Sequence, residues 1–320
     1  MIKDKTILIT GGSGSWGNEL TKQLLEQDPK EIRIYSRNEF AQVSMERKFN
    51  DKRLNFIIGD VRDFDSLSNA LRGVAIVYHL AALKHIPICE KFPEEAIKTN
   101  INGTQNVIKA AIENEVEKVV DVSTDKAANP LNLYGMTKAV GEKLILHANG
   151  LGKTKFVCIR GGNVLGSNGS VVPFFIDQIK RFNKITLTSR EMTRYFLTLE
   201  EAIKLVLTAC EFDPSGGLFV MRMPSCRIID LAKVLIEHYG DPITTKVELT
   251  GLRPGEKLHE LLISEYESSN CYVYNYNYYL IHQRDLSLHK VDFKEYSSIS
   301  QPLMDNETIK ELLKRGGFLI

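Results

Sequence analysis

The regular alternation of short apolar runs with amphipathic stretches through the first half of the chain constrains its fold more than any other feature. Six short apolar runs predict strands, at 6–10, 32–35, 54–58, 76–79, 118–122 and 156–159. The stretches between them carry apolar residues at helical spacing, at 15–27, 39–49, 65–71, 95–114 and 134–147. Strands that are almost wholly apolar are buried on both faces, so the pattern predicts an α/β fold with a doubly wound parallel sheet.

The pattern changes after Arg160, where GGNVLGSNGSVVPFF is rich in Gly, Asn, Ser and Pro. We therefore predict a first domain over 1–163 and a smaller C-terminal lobe over 164–320. Helical spacing returns at 199–210 and 228–239, so segments at about 195–225 are expected to pack back on the sheet. Tyrosines recur at every second position in 272–278, which predicts one strand or extended arm with a tyrosine-rich face.

Charge and cysteine content exclude several classes of protein. Lys and Arg number 41 against 40 Asp and Glu, so the chain lacks the broad cationic field that binds nucleic acid or anionic membranes. The five cysteines form no CxxC pair, which favours free thiols in a reducing compartment. No secretory signal is recognised, and the most apolar stretch is far shorter than the about 18 to 20 residues of a membrane span. We expect a cytoplasmic protein without a metal, since the histidines lack ligand spacing.

A glycine triplet lies between the first strand and the first helix. Gly11, Gly14 and Gly17 are spaced GxxGxxG, where a dinucleotide pyrophosphate binds backbone N–H groups at the positive end of a helix. Glycine is required because a Cβ would prevent the close approach. Trp16 within this loop is interpreted as a packing residue. The loop predicts a cofactor site formed by Gly11, Ser13, Gly14, Ser15, Trp16 and Gly17.

The end of the second strand indicates which dinucleotide binds. An NAD site usually places a carboxylate there, whereas this chain has Tyr35, Ser36, Arg37 and Asn38. A hydroxyl, a guanidinium and an amide suit a 2′-phosphate, so the sequence favours NADP over NAD; an exposed arginine without a ligand is the alternative. Strands three and four should add contacts to the adenine and to the nicotinamide ribose, from Asp60, Val61, Ala81, Ala82 and Lys84.

Tyr134 and Lys138 in YGMTK are four residues apart at the start of a helix, so both side chains project from one face. A phenol has a pKa near 10. The neighbouring ammonium and the nicotinamide ring are expected to lower that pKa, which would make Tyr134 a proton acceptor for a sugar hydroxyl. YxxxK is common by chance, and its position after the fifth strand and the glycine loop gives it weight.

Together these motifs resemble the extended short-chain dehydrogenases/reductases, and within them the inverting UDP-N-acetylglucosamine 4,6-dehydratases. The resemblance covers nearly the whole chain, through TGGSGSWG, AALKH, STDKAANP, YGMTK, GSNGSVVPFF, MTRYF and LRPGEKLHE. STDKAANP is the most informative, because simple oxidoreductases and 4-epimerases of this fold do not usually place an acid and a base after the active-site hydroxyl. One departure is Gly161, where relatives often have an aromatic residue.

The resemblance implies a role for each residue of the active site. Thr124, or Ser123, with Tyr134 and Lys138 would oxidise C4 of the sugar with hydride transfer to NADP. Lys126 would remove the C5 proton and Asp125 would protonate the departing 6-hydroxyl, after which the hydride returns to C6. Lys126 must then be neutral, with a pKa well below about 10.4, and the pKa of Asp125 must be raised. A loop ion pair is the alternative for Asp125 and Lys126.

By the same resemblance a UDP-sugar is the partner in the second lobe. Arg194 and Arg253 would bind the diphosphate, and Glu256 the uridine ribose. The other implied contacts are Lys84 and His85 to the sugar, and Asn163 and the backbone around Val172 to the nucleotide sugar. Surface solvation is the alternative for any one of these cations.

The implied reaction gives UDP-2-acetamido-2,6-dideoxy-β-L-arabino-hex-4-ulose, a precursor in pseudaminic acid synthesis. A retaining or C3-epimerising dehydratase and a UDP-sugar 4-epimerase use similar residues and stay open. A non-catalytic NADP-sensing protein is the alternative from another class, although such proteins commonly lose YxxxK. Relatives form homo-oligomers, so the resemblance also implies a dimer or a hexamer.

Overall fold

The computed structural model of the protein describes residues 1–166, 170–212 and 216–319. The strands are β1 (Thr6–Thr10), β2 (Glu31–Ser36), β3 (Leu54–Ile58), β4 (Ile76–His79), β5 (Lys118–Thr124), β6 (Lys155–Gly161), β7 (Asn163–Val164), β8 (Lys184–Leu187), β9 (Thr193–Leu197), β10 (Leu218–Met221), β11 (Ser225–Arg227), β12 (Lys246–Leu249), β13 (Leu261–Ile263), β14 (Cys271–Val273), β15 (Tyr278–Ile281), β16 (His289–Lys290) and β17 (Tyr296–Ser297). The helices are α1 (Ser15–Leu25), α2 (Glu39–Phe49), α3 (Phe64–Ala70), α4 (Ile86–Lys91), α5 (Pro93–Ile97), α6 (Gly103–Glu113), α7 (Leu133–His147), α8 (Val171–Phe182), α9 (Leu199–Glu211), α10 (Ile228–Tyr239), α11 (Glu265–Ser268) and α12 (Asn306–Arg315).

One large sheet organises the molecule. Its strand order is β16-β14-β15-β10-β6-β5-β4-β1-β2-β3. The strands from β10 to β3 are parallel, and β15, β14 and β16 add antiparallel strands at one edge. The order of the strands reverses at β1, because β2 and β3 lie on one side of it and β4 on the other. Ligands of such sheets bind at this reversal point, at the carboxyl ends of the strands. The predicted doubly wound parallel sheet, a Rossmann fold, is confirmed.

The period-two pattern of β1 sends alternate side chains to the two faces of the sheet. Ile7 and Ile9 belong to the core under α1, with Leu20. Leu8 belongs to the core on the other face, with Leu67 of α3. Both faces of β1 are buried, which is why it has three apolar residues in a row, Ile7, Leu8 and Ile9, rather than one at every second position.

The six predicted strands of the first half are all present, but the helix predicted over 95–114 is interrupted. α5 is followed by a π-helical turn, Lys98–Asn102, before α6 begins. Asn100 in that turn accepts from the Leu83 N–H (2.8 Å) and donates to the Thr137 hydroxyl (3.0 Å). The widened turn therefore presents a side chain that ties the loop after β4 to α7.

The tyrosine-rich stretch differs from the prediction. It forms a hairpin of β14 and β15 rather than one strand, with the turn between them at 274–277. The Asn275 side-chain oxygen accepts from the N–H groups of Asn277 (2.9 Å) and Tyr278 (3.0 Å), and this local turn reverses the chain. Alternation at period two cannot distinguish a long strand from two short ones when the turn residue is an asparagine within the pattern.

Two segments after residue 164 return to the large sheet. α9 packs on β5, β6 and α1, and β10 pairs with β6. The strands β14 to β16 extend the same sheet, which the sequence argument did not expect. The remaining lobe has its own core between α8, α10 and α12. All five cysteines are buried and unpaired. No helix within the described ranges is long and apolar enough to cross a membrane.

Candidate active site

The glycine loop brings the start of α1 against the ends of β1 and β4. Gly11 has a left-handed φ of +65°, and its N–H donates to the Tyr35 carbonyl (2.8 Å). A Cβ on Gly11 would lie 2.9 Å from the Ala81 backbone, and a Cβ on Gly17 would lie 2.0 Å from the Gly12 carbonyl oxygen. No other residue type fits at these two positions without moving the backbone.

A cleft with a volume of about 590 Å³ runs from this loop to the start of α7. Most of the predicted cofactor residues line it, and Ser13 and Gly17 do not. Ser13 instead bonds the Ser36 hydroxyl (2.8 Å), and Gly17 packs on Gly12. The predicted residues along the cleft are Gly11, Gly14, Ser15, Trp16, Ser36, Arg37, Asn38, Asp60, Val61, Ala81, Ala82, Lys84, Tyr134 and Lys138. These residues line one continuous cleft.

At the far end of the cleft, Asp60 lies between two arginines. Arg62 is 2.6 Å from its carboxylate and Arg37 is 3.6 Å away, and the Arg37 side chain keeps 53% of its surface exposed. Burial raises the pKa of Asp60, but the hydrogen bonds and charges of the arginines outweigh burial and lower it. Arg37 therefore faces the cleft with an accessible guanidinium.

At the other end, Lys138 lies above a buried carboxylate that sequence reasoning missed. Its Nζ is 3.4 Å from both carboxylate oxygens of Asp121, and Asp121 is fully buried in β5. Burial lowers the pKa of Lys138, but Asp121 and the other acidic groups around it together raise it above its ordinary value, so Lys138 stays charged. Burial also lowers the pKa of the adjacent His79 to about 4, which leaves that ring neutral. An aspartate within the apolar run KVVDVST was the signal that could have identified this ion pair.

Tyr134 is half-buried beside Lys138, Lys126 and Thr124. Burial raises the pKa of its phenol, and this exceeds the lowering by the two ammonium groups and by the hydrogen bond with Thr124. The ammonium of Lys138 acts in the expected direction, but the lowering expected from it together with the nicotinamide ring is wrong for the protein alone, because desolvation disfavours the phenolate more strongly.

Thr124, Asp125 and Lys126 form one connected group at the end of β5. The Thr124 hydroxyl and the Lys126 ammonium both donate to the same oxygen of Asp125, each at 2.9 Å. Lys126 lines the cofactor cleft and also a second cavity beside it. Asp125 is fully buried behind Lys126 and Thr124 and lines neither cavity. The amine therefore faces the ligand space directly, and the carboxyl reaches it only through its two neighbours.

The expected lowering of the Lys126 pKa is also wrong for the protein alone. Burial lowers this pKa, but the carboxylates of Asp125 and Glu260 raise it by more. Glu260 is 3.4 Å from Lys126 Nζ and comes from the second lobe. No local pattern linked the two residues in the sequence, because the contact depends on how the two lobes meet.

The second cavity, with a volume of about 290 Å³, shares Lys84, His85, Lys126 and Asn163 with the cofactor cleft. Val172, Arg194 and Glu256 also line it, as predicted for the substrate, whereas Arg253 is exposed on the surface and does not. Burial lowers the pKa of Lys84. Sequence reasoning missed Asn132, Lys257 and Glu260 on its wall.

Arg194 is arranged differently from what a diphosphate ligand would require. It is buried, and its guanidinium donates to the carbonyls of Thr193 (2.7 Å), Leu258 (3.1 Å) and Lys257 (2.8 Å). Its Nε is 3.4 Å from Glu260. These contacts use most of its five donors, so in this structure Arg194 holds the 253–260 loop in place. A direct role for Arg194 toward a diphosphate therefore requires local rearrangement.

Across the described part of the chain, no group of three or more His, Cys, Asp and Glu side chains is arranged to hold a metal ion. The site thus consists of a cleft beside the glycine loop, a Tyr-Lys pair and an Asp-Lys pair at the junction with a second cavity.

The family model described as "Polysaccharide biosynthesis protein" matches residues 7–282. The chain belongs to this family. This family belongs to the extended short-chain dehydrogenases/reductases, the group that the sequence motifs indicate. The chain is 44% identical to a UDP-N-acetylglucosamine 4,6-dehydratase (inverting) of Campylobacter jejuni, over 98% of both chains. It is 41% identical to a UDP-glucose 4-epimerase of Rickettsia bellii, over 98% of this chain and 96% of that one.

Among solved structures, Pen from Bacillus thuringiensis has the same architecture as this chain. The two superpose with a TM-score of 0.95 over the full length of both chains, at 38% sequence identity. The large sheet and both lobes are therefore common to the two proteins.

Proposed function

We propose that this protein is a lyase that converts UDP-N-acetylglucosamine into the 4-keto-6-deoxy sugar with inversion at C5. The observation that carries the proposal is the position of Lys126. Its amine lies where the cofactor cleft meets the second cavity, next to the Tyr134–Lys138 pair. An oxidoreductase needs only the Tyr-Lys pair, whereas elimination needs a further base beside the carbon to be deprotonated. The 44% identical inverting dehydratase supports the same assignment.

The residues of the cleft fit a nicotinamide dinucleotide. The cradle of Gly11, Gly14 and Ser15 would hold the pyrophosphate, and Tyr134 and Lys138 would face the nicotinamide ribose. A bound nicotinamide would supply the hydride acceptor for C4 and the hydride donor for C6. In the first step Tyr134 must be a phenolate to take the proton of the 4-hydroxyl. The ammonium of Lys138 stabilises this phenolate before the transfer, and the phenol is neutral once it holds the proton.

For elimination, the Asp125–Lys126 pair supplies both the base and the acid with one shared proton. When the proton lies on Asp125, Lys126 is a neutral amine that can remove the C5 proton. Asp125 is buried, so its proton reaches the departing 6-hydroxyl through the Thr124 hydroxyl, which is 2.9 Å from the carboxylate and lines the cleft. The internal transfer over 2.9 Å changes no net charge, which makes it compatible with burial.

The function is tested by incubating the purified protein with UDP-N-acetylglucosamine in deuterated water. A product lighter by one water, with deuterium at C5 and an altered C5 coupling in the proton NMR spectrum, is the expected result. Water loss with an unchanged C5 configuration would assign a retaining dehydratase, and added change at C3 a C3-epimerising one. A C4 epimer without water loss would instead support the 4-epimerase, a function named for the 41% identical relative.

We also propose NADP as the cofactor, because Arg37 lines the cleft with an exposed guanidinium. Replacing Arg37 with leucine should weaken NADP binding about tenfold or more and change NAD binding little, because only NADP offers a 2′-phosphate for a charge-assisted hydrogen bond. Calorimetric titration with both nucleotides measures this. Arg62→Leu is the matched control, since Arg62 also pairs with Asp60 but does not line the cleft. Equal losses for NAD and NADP would refute the assignment.

We infer a cytoplasmic homo-oligomer that supplies pseudaminic acid synthesis. Exposed apolar side chains on α4, on α7 and beside them support self-association; they are Ile88, Phe92, Leu131, Met136 and Val140. Because α4 and α7 contact each other, these side chains lie on neighbouring elements, and exposed apolar side chains that cluster in this way are typical of protein–protein interfaces. Sedimentation of the purified protein would show a dimer or a hexamer, and a monomer at all concentrations would contradict the inference.

A further inference from the structure

The loop at 253–260 extends from the second lobe onto the Rossmann half of the site. The Asn132 side chain donates to the Gly255 carbonyl (3.0 Å), and the Lys257 ammonium donates to the Ala128 carbonyl (2.6 Å). Ala128 and Asn132, the partners on the Rossmann side, follow closely after Asp125 and Lys126 in the chain. This docking brings the last residue of the loop, Glu260, to the catalytic pair.

Glu260 is 2% exposed and lies between two cations. One carboxylate oxygen is 3.4 Å from Lys126 Nζ and 3.4 Å from Arg194 Nε. The other oxygen is buried and has no hydrogen-bond partner among the described residues. The Ser298 hydroxyl fixes the backbone by accepting from the Glu260 N–H (2.9 Å). The charge of a carboxylate buried in this way must be compensated by the neighbouring cations, and the carboxylate in turn fixes the positions of those cations.

The charges around Lys126 come from every side of the site. Asp125 and Glu260 favour its ammonium form, and Arg194 opposes it; Lys257 is a further cation close by, and Tyr134 is a neutral phenol. Glu260 is the carboxylate that the second lobe supplies. Its removal would leave Asp125 as the one carboxylate in contact with Lys126 among the described residues.

We propose that Glu260 is a positioning residue that fixes the Lys126 amine between the two cavities and sets how tightly the Asp125–Lys126 pair holds its shared proton. The proposal rests on the proposed function, because it assigns Lys126 as the C5 base. If its surroundings hold a proton on Lys126 more tightly, the neutral Lys126 amine has a higher proton affinity and is therefore a stronger base toward the C5 proton. The second lobe thereby controls the basicity of a residue carried by the first.

The test uses the reactivity of the Lys126 amine and does not depend on turnover. Only a neutral amine reacts with acetic anhydride, so the pH dependence of labelling, read by mass spectrometry against the exposed Lys52, reports the proton affinity of Lys126. In Glu260→Gln an opposite charge within contact distance is lost, so labelling between about pH 7 and 10 should increase by about 10- to 1000-fold. Glu260→Asp keeps the charge at a greater distance, so its labelling should lie between that of Glu260→Gln and that of wild type.

Glu265→Gln is the matched control, since it removes the same charge from an exposed position shortly after the loop and should label like wild type. The pH at which water loss declines on the alkaline side should also move down in Glu260→Gln. Unchanged labelling and an unchanged pH profile would overturn the proposal. If Glu260→Gln does not fold, Glu260→Asp decides by the same measurement. Failure of wild type to dehydrate UDP-N-acetylglucosamine would refute the proposed function and leave the labelling result standing.

Discussion

Replacing Lys126 with alanine is expected to abolish water loss from UDP-N-acetylglucosamine, with a fall in turnover of about 10²- to 10⁴-fold or more, the usual contribution of one general base. Lys126 is the amine at the junction of the two cavities. C4 oxidation uses Tyr134 and Lys138 instead, so some reduced nicotinamide should still accumulate in the variant. Product mass, C5 deuterium content and the absorbance of the reduced nicotinamide measure the two steps separately.

Alanine also leaves Asp125 and Glu260 without their shared cation, and Lys126→Arg is therefore the matched variant. Its guanidinium can keep the ion pairs with both carboxylates, but it stays protonated and cannot act as a base. A folded and inactive Lys126→Arg protein would separate the loss of the base from a loss of structure. Full turnover in either variant would show that another residue removes the C5 proton.

Replacing Arg160 with methionine should have the largest effect on stability, a loss of about 3 to 5 kcal/mol in the free energy of unfolding. Arg160 is 1% exposed and donates to Glu142 of α7 (2.5 and 3.0 Å), to Glu267 of α11 (2.9 and 3.1 Å) and to the Leu262 carbonyl (2.7 Å). Methionine fills similar space but leaves two carboxylates without their cation. Urea unfolding followed by circular dichroism measures the loss.

The loss should depend on pH in a defined direction. Burial raises the pKa of Glu267, but the charge and hydrogen bonds of Arg160 lower it below its ordinary value of 4.5. A lowered pKa in the folded state contributes stability above the unfolded-state value, and this contribution is lost as the pH falls through the folded value. The difference between wild type and Arg160→Met should therefore be full at neutral pH and shrink below about pH 4.5.

Arg181→Met provides the control for this series. Arg181 pairs with Asp177 on the exposed face of α8, with 69% of its side chain accessible. Exposed pairs of this kind contribute about 0.3 to 0.5 kcal/mol. Equal losses for the two variants would mean that the buried ion pairs of Arg160 contribute no more than a surface contact.

The sequence predicts the parts of this protein that depend on local patterns. The parallel sheet follows from apolar runs, and the positions of Gly11, Tyr134, Lys138 and Lys126 follow from motifs placed at strand ends. The electrostatics of the site could not be predicted in the same way. The pKa of Lys126 depends on Glu260, which is remote in sequence and arrives through the docking of a loop.

Arg194 shows that the availability of a binding side chain could not be predicted from the sequence either. A motif identifies an arginine, but it does not indicate whether carbonyl groups of the protein already occupy its donors. The tyrosine hairpin shows a corresponding limit for backbone structure, because one asparagine side chain decides between a strand and a turn.

The shared sheet determines how ligands can enter and leave. β10 and β15, which follow the substrate-lobe segments in the chain, are hydrogen-bonded into the same sheet as β6, and Arg160 joins α7 to α11. A hinge opening of the two halves would have to break main-chain pairing and expose three buried charges. We therefore expect sugar nucleotides to exchange through displacement of individual loops while the sheet stays intact, and a chimera that joins halves of two relatives would have to preserve the pairing of β6 with β10.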